Sequence, residues 1–84
     1  MVNVKFDDHF QRVVSKIKDH KIQKSIKNKI KKIIDDPEIG KPMRNVRKGT
    51  REIYIGGGSF RISYNYYKEQ ELIEFLDLYH KDEQ

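Results

Sequence analysis

The sequence has no cysteine, so it can form neither a disulfide nor a thiolate zinc site. No apolar run approaches the length of a membrane span or of a signal peptide. Internal repeats, low-complexity tracts and a linker are also missing, which predicts that residues 1–84 form a single domain. We therefore expect a cytoplasmic protein with no membrane partner.

The three histidines, His9, His20 and His80, are scattered without the spacing of metal ligands. A metal site is therefore not expected. A chain of this length buries only about 60–65% of its unfolded surface, so its core is thin. It cannot hold a deep pocket as well as a core, and the sequence predicts no cofactor.

Hydrophobic periodicity predicts one strand followed by two helices. Residues 2–6 alternate between apolar and polar, as in a strand with one buried face. Residues 10–17 and 22–33 repeat apolar side chains at helical spacing. The second helix is predicted to end before Pro37, because the residue before a proline avoids the α region.

The C-terminal half predicts three strands joined by tight turns. Residues 51–55, 60–66 and 72–79 have the alternation or the apolar run of strands, and turn-forming residues separate them at 56–59 and 68–70. The predicted fold class is α+β: a two-helix hairpin packed on a small antiparallel sheet, in the order β-α-α-β-β-β.

Lysine and arginine outnumber the acidic residues, 18 against 13, which gives a formal net charge of +5. This balance favours a nucleic acid, an anionic surface or an acidic protein as the partner. Part of the charge lies on the second helix, where two interpretations remain open: a solvated face, or a face that attracts a phosphate backbone at long range. The lysines of this helix are Lys21, Lys24, Lys27, Lys29, Lys31 and Lys32.

A second group of cations lies off the helices, and no acid interrupts the eleven residues that hold it. Its members are Lys41, Arg44, Arg47, Lys48 and Arg51. Arg61 adds to the group from the next strand. The planar guanidinium fork suits bidentate contacts with phosphate, and arginines clustered on irregular backbone are typical of phosphate sites. We therefore predict that this half of the chain binds a polyanion, with RNA favoured.

Other residues of the same half leave further alternatives. Tyr54 lies on the face opposite its isoleucine neighbours, where its ring could stack on a base or pack against another strand. The glycine run at residues 56–58 lacks the pattern of a phosphate-binding loop and predicts a hairpin turn. His80 is either a proton-transfer group near neutral pH or an exposed histidine.

Four short segments follow one another in a distinctive order. They are Asp-Pro-Glu-Ile-Gly-Lys-Pro-Met at residues 36–43, Arg-Lys-Gly at 47–49, Phe-Arg-Ile-Ser-Tyr at 60–64 and Leu-Asp-Leu-Tyr-His-Lys-Asp at 76–82. In this order and spacing they resemble the RelE/ParE superfamily of type II toxins. The N-terminal strand and helix hairpin fit as well, so the resemblance covers nearly the whole chain.

The resemblance implies a ribosome-dependent endoribonuclease that cuts messenger RNA without a metal, by attack of the 2′-hydroxyl on the adjacent phosphate. Arg61 matches the arginine that contacts the scissile phosphate. His80 matches the general acid of one branch of the superfamily, and Lys81 matches a basic position after the last strand. Lys48 and Arg51 fall near positions where the superfamily contacts RNA.

The strand after the basic loop departs from the RelE branch, because Glu52 and Tyr54 stand where that branch has paired lysines. Glu52 is a candidate general base on chemical grounds, not by alignment.

The partners implied by the resemblance are an acidic, RelB-like antitoxin, the ribosome and messenger RNA. Two alternatives remain open. One is a ParE-like inhibitor of DNA gyrase without cleavage chemistry, and the other is a decayed toxin that binds RNA but does not cut it.

Overall fold

The computed structural model describes residues 2–43 and 49–80. In these ranges the chain forms strand β1 (Asn3–Phe6), helices α1 (Asp8–Ser15) and α2 (His20–Asp35), and strands β2 (Lys41–Pro42), β3 (Thr50–Ile55), β4 (Phe60–Tyr67) and β5 (Leu72–His80). The predicted α+β class, a helix pair packed on a sheet, is confirmed. Across the described ranges, neither helix is long and apolar enough to cross a membrane.

The sheet has the strand order β1-β5-β4-β3-β2 and is mixed, not purely antiparallel. The pairs β2–β3, β3–β4 and β4–β5 are antiparallel. β1 runs parallel to β5, with Val4 opposite Ile73 and Phe6 opposite Phe75. Tight turns impose antiparallel pairing on β3, β4 and β5. No such turn joins β1 to β5, so no local signal in the sequence fixes their relative direction. The two-residue β2 lies within residues 38–49, for which Gly40, Pro42 and Gly49 predict a loop.

Polar caps and a proline set the ends of the helices. The Asp7 carboxylate accepts a hydrogen bond from the His9 backbone N–H at 3.3 Å, and Asp19 caps α2 in the same way. α2 ends at Asp35, two residues before Pro37, as predicted.

The core lies between the helices and one face of the sheet. Phe10 of α1 and Ile26 and Ile33 of α2 are buried there. The buried apolar residues of the sheet are Ile55, Ile62, Tyr64, Ile73, Phe75 and Leu78. Because side chains alternate along a strand, the direct neighbours of these residues in β3 and β4 point to the opposite face of the sheet. In β5 a register shift against β4 interrupts the alternation between Phe75 and Leu78.

The hairpin between β3 and β4 turns through Gly56–Gly58, as predicted. All three glycines have a positive φ, at 60°, 70° and 94°. A Cβ makes this region unfavourable, so a run of glycine lets the chain reverse here without strain. The turn is consequently a stretch of backbone without side chains.

Tyr64 ties the segment before β2 to the sheet. Its buried hydroxyl accepts a hydrogen bond from the Gly40 backbone N–H at 2.9 Å and donates one to the Pro37 carbonyl at 2.8 Å. A Cβ at Gly40 would lie 2.6 Å from that hydroxyl, so only glycine fits. Arg51 adds a second tie, because its Nη1 donates to the Glu38 carbonyl at 3.1 Å and to the Gly40 carbonyl at 2.7 Å. Together these bonds fix where β2 begins.

We expect Tyr64→Phe to lower the free energy of unfolding by about 1–3 kcal/mol, because it leaves the Gly40 N–H and the Pro37 carbonyl without a buried partner. Urea titration followed by circular dichroism measures the change. Tyr54→Phe is the matched control, since Tyr54 is 41% exposed, and surface changes stay within about 0.5 kcal/mol. Equal values for the two variants would contradict the structural role of the Tyr64 hydroxyl.

Burial of Tyr64 also makes the stability of the fold depend on pH in the alkaline range. Desolvation raises the pKa of its phenol, although the hydrogen bond from Gly40 and the charge of Arg51 act in the opposite direction. The unfolded chain therefore loses this proton first, at a pKa of about 10. The contribution of Tyr64 to stability is complete below that pH and is lost as the pH rises through the folded-state pKa. Tyr64→Phe is expected to lose less stability than the parent over this window.

Candidate functional site

Three residues form a row across the face of the sheet that points away from the core. Tyr54 on β3 lies opposite Arg61 on β4, and Arg61 lies opposite Tyr79 on β5. Residues directly opposite one another in antiparallel strands share a face. Glu52 precedes Tyr54 by two residues and so joins the same face, with Lys41 of β2 opposite it. We call these five residues the Arg61 face.

Arg61 occupies the middle of this face. Its guanidinium carbon lies 4.6 Å from the centroid of the Tyr54 ring, and its Nη1 lies 3.9 Å from Oε2 of Glu52. The side chain is 20% exposed. Its Nε is buried and has no hydrogen-bond partner among the residues that the structure describes. An unpaired buried donor costs about 1–3 kcal/mol, so the described residues hold this guanidinium without satisfying all of its donors.

Glu52 is held by a tyrosine two strands away on the same face of the sheet. The Tyr79 hydroxyl donates a hydrogen bond of 2.8 Å to Oε2 of Glu52. The Glu52 side chain is only 16% exposed. The Lys41 ammonium lies 5.6 Å from the centroid of the Tyr54 ring. The face thus places an oriented carboxylate between two cations, an arrangement that can bind a phosphate and accept a proton beside it.

Four of the site residues predicted from the sequence come together on the Arg61 face: Lys41, Glu52, Tyr54 and Arg61. Tyr54 is 41% exposed, so its ring is available for stacking as well as for the cation contact. Arg44, Arg47, Lys48 and Lys81 were also predicted, and they lie outside the described residues.

Arg51 and His80 are not brought onto the Arg61 face. Arg51 pairs with the core residue Tyr64, and its guanidinium is engaged by the carbonyls of the segment before β2. His80 lies opposite Phe60, with the two ring centroids 5.2 Å apart, so it shares the other face of the sheet. Both placements follow from local alternation, because Arg51 is the immediate neighbour of Glu52 and His80 that of Tyr79, and immediate neighbours point to opposite sides.

Tyr79 is the member of the face that sequence reasoning missed as a site residue. Tyr79 joins the face because the register of β4 and β5 sets it opposite Arg61. The sequence places Tyr79 at the end of an apolar run, and a register between two strands is not encoded in either strand alone.

Solved toxin structures share this fold. A chain of the E. coli RelBE toxin–antitoxin complex matches with a TM-score of 0.79 and 16% identity, over 93% of this chain and 94% of that one. A chain of the RelBE2 toxin–antitoxin complex from Mycobacterium tuberculosis matches with a TM-score of 0.78 and 21% identity, over 95% and 98%. A chain of the archaeal RelE–RelB complex from Pyrococcus horikoshii gives 0.70 and 12%, over 99% and 98%. The fold is therefore that of the RelE toxins.

The sequence itself identifies the family. Residues 3–84 match the ParE toxin of the type II toxin–antitoxin system parDE. The chain belongs to this family, and it is a type II toxin of the RelE/ParE superfamily, as the four sequence segments indicated. No curated protein is significantly similar to it in sequence.

Proposed function

We propose that this toxin is a ribosome-dependent endoribonuclease that cuts messenger RNA and so inhibits translation. The observation that carries the proposal is Arg61, whose buried Nε has no partner among the described residues and whose guanidinium lies against the half-exposed ring of Tyr54. The exposed part of a guanidinium binds phosphate oxygens, and a base stacks on such a ring. The RelE-type fold supports the same class of activity.

In this proposal the scissile phosphate binds at Arg61, where the guanidinium stabilises the charge that develops on the phosphoryl oxygens. The adjacent 2′-hydroxyl forms a new bond to phosphorus, and the bond from phosphorus to the 5′-oxygen breaks. Glu52, held by Tyr79 at 2.8 Å, takes the proton of the 2′-hydroxyl. The products are a 2′,3′-cyclic phosphate and a 5′-hydroxyl.

The leaving 5′-oxygen must receive a proton. His80 and Lys81 are the donors that the resemblance implies. His80 lies on the opposite face at the last described residue of β5, and Lys81 lies beyond the described residues. Since His80 lies on the face opposite Arg61, we assign the step to Lys81 and not to His80. Arg61 itself is unsuited, because a guanidinium does not give up its proton in proteins.

The proposed partners are messenger RNA on the ribosome and an acidic antitoxin that covers the Arg61 face in the cytoplasm. Solved complexes of similar toxins pair each toxin with an antitoxin. The net charge of +5 favours an acidic partner.

Ribosomes programmed with a reporter message and mixed with the purified toxin test this function. We expect cuts that require the ribosome and that leave 2′,3′-cyclic phosphate ends, detected by primer extension and end-group analysis. An intact message at a large excess of toxin would contradict the proposed nuclease function. If the same protein still bound RNA, the non-catalytic alternative would replace it.

Inhibition of DNA gyrase is the second candidate, and the family match favours it, since the family is that of the ParE toxins. A supercoiling assay with purified gyrase separates the two functions. Loss of supercoiling with an intact reporter message would establish this alternative, and unchanged supercoiling would remove it.

A further inference from the structure

The outer edge of β3 is only partly covered by its neighbour. β2 pairs with Arg51 and Glu52 alone, so in the described part of the chain residues 53–55 pair with β4 on one side and with no strand on their outer side. Two open clefts lie along this edge, and both are lined by Lys29 and Tyr54. One cleft reaches Lys41 and Glu52, and the other reaches the turn at Gly56–Gly58. The two clefts adjoin at Lys29 and Tyr54, between the Arg61 face and α2, and we call them together the edge groove.

One side of α2 forms the wall of the edge groove. Ser25, Asn28, Lys29 and Lys32 line it, and their spacing of three and four residues puts them on a single helical face. Lys27 and Lys31 each lie about 160° around the helix from Lys29, at 100° per residue. Two lysine pairs of α2 thus differ in position: Lys29 and Lys32 line the groove, whereas Lys27 and Lys31 lie on the far side of the helix from Lys29.

The floor of the groove at its far end is bare backbone. A Cβ built on Gly57 or Gly58 would meet no atom within 4 Å, so the space above them is open. The groove carries three lysines, Lys29, Lys32 and Lys41, against the carboxylate of Glu52, which Tyr79 already engages. Its charge is therefore positive along the whole groove.

We propose that the edge groove binds the phosphodiester backbone of single-stranded RNA that continues from the scissile phosphate at Arg61, an inference that rests on the proposed nuclease function. Lys29 and Lys32 contact phosphates, Ser25 and Asn28 offer hydrogen bonds, and the glycine turn lets the sugar-phosphate chain approach closely. The half-exposed Tyr54 ring lies between the two clefts, and bases stack on such rings. This ring favours RNA over an acidic peptide as the occupant.

The two pairs of lysines on α2 supply a matched experiment. A short single-stranded RNA with 2′-O-methyl groups throughout cannot be cut, so its fluorescence anisotropy reports binding alone. The test variant is Lys29→Gln with Lys32→Gln, and the control is Lys27→Gln with Lys31→Gln, which removes the same charge from the same helix. Losing two phosphate contacts is expected to weaken binding about 25-fold at about 0.1 M salt and to reduce the salt slope by about 1.4. The control is expected to bind as the parent does.

Four results would overturn the proposal. The first two concern RNA affinity: equal losses for both pairs of variants, or no loss for the test pair. The third is that the parent protein does not bind the RNA. The fourth is that an oligoglutamate of the same charge binds as tightly as the RNA and also depends on Lys29 and Lys32. The ribosome assay is independent of this one. A parent that binds the RNA through the groove but leaves a reporter message intact would remove the nuclease and keep the groove.

Discussion

Arg61→Ala is expected to slow cleavage of a ribosome-bound message by about 100- to 1000-fold, the range seen when one transition-state donor is removed. Arg61 is the central cation of its face, with Tyr54 at 4.6 Å from its guanidinium and Glu52 at 3.9 Å from its Nη1. In the proposed mechanism, its loss removes the cation at the centre of the face and leaves only Lys41, at the sheet edge, to stabilise the charge that develops on the phosphoryl oxygens. Single-turnover cleavage on stalled ribosomes measures the rate of the chemical step.

The control is Arg12→Ala, the same change at an exposed arginine in the last turn of α1. It is expected to leave the rate unchanged. Arg61→Lys separates charge from geometry, because an ammonium cannot present the planar fork, and most of the rate should remain lost. Circular dichroism melts exclude unfolding as the cause. A folded Arg61→Ala protein that cuts at the parent rate would contradict the assignment.

Local signals predicted most of the secondary structure. The stripe of α2 is visible as isoleucines at helical spacing, and Pro37 marks its end. The hairpin of β3 and β4 follows from alternation on both sides of a glycine run. These features depend on neighbours in the sequence, and that is the information a single chain displays directly.

The parallel pairing of β1 with β5 could not be predicted, since strands so far apart in sequence meet through the whole fold.

Most residues of the site were predicted from the sequence, but which of them share one face of the sheet was not. Arg51 and Glu52 are adjacent and therefore point to opposite faces, and only the position of the helices decides which face is buried. Arg51 then serves the loop before β2, and Glu52 faces Arg61.

The loop and the site are nevertheless connected. Tyr64 and Arg51 fix the chain at Gly40, and β2 begins at the next residue, Lys41. Lys41 pairs with Glu52 and approaches the Tyr54 ring. Residues that contribute no chemistry therefore determine where one of the two cations of the site lies.

Phe75→Ala is expected to lower the free energy of unfolding by about 3–5 kcal/mol, the usual cost of removing a large buried ring. Phe75 on β5 is fully buried. Its ring centroid lies 5.2 Å from that of Phe6, 5.6 Å from that of Phe10 and 6.0 Å from that of Tyr64. It thus joins β1, α1 and β4 to the last strand.

This loss is large for so small a domain. At about 0.05–0.15 kcal/mol per residue, a chain of 84 residues has a total stability of about 4–13 kcal/mol. Urea titration should show an earlier midpoint with an unchanged slope.

Phe6→Ala is the matched control in the same cluster, because Phe6 is 40% exposed and its removal leaves an open notch, not an enclosed cavity. Its cost should be about 1 kcal/mol. A cost of only about 1 kcal/mol for Phe75→Ala as well would contradict the prediction, because it would mean that the core collapses into the space left by this ring.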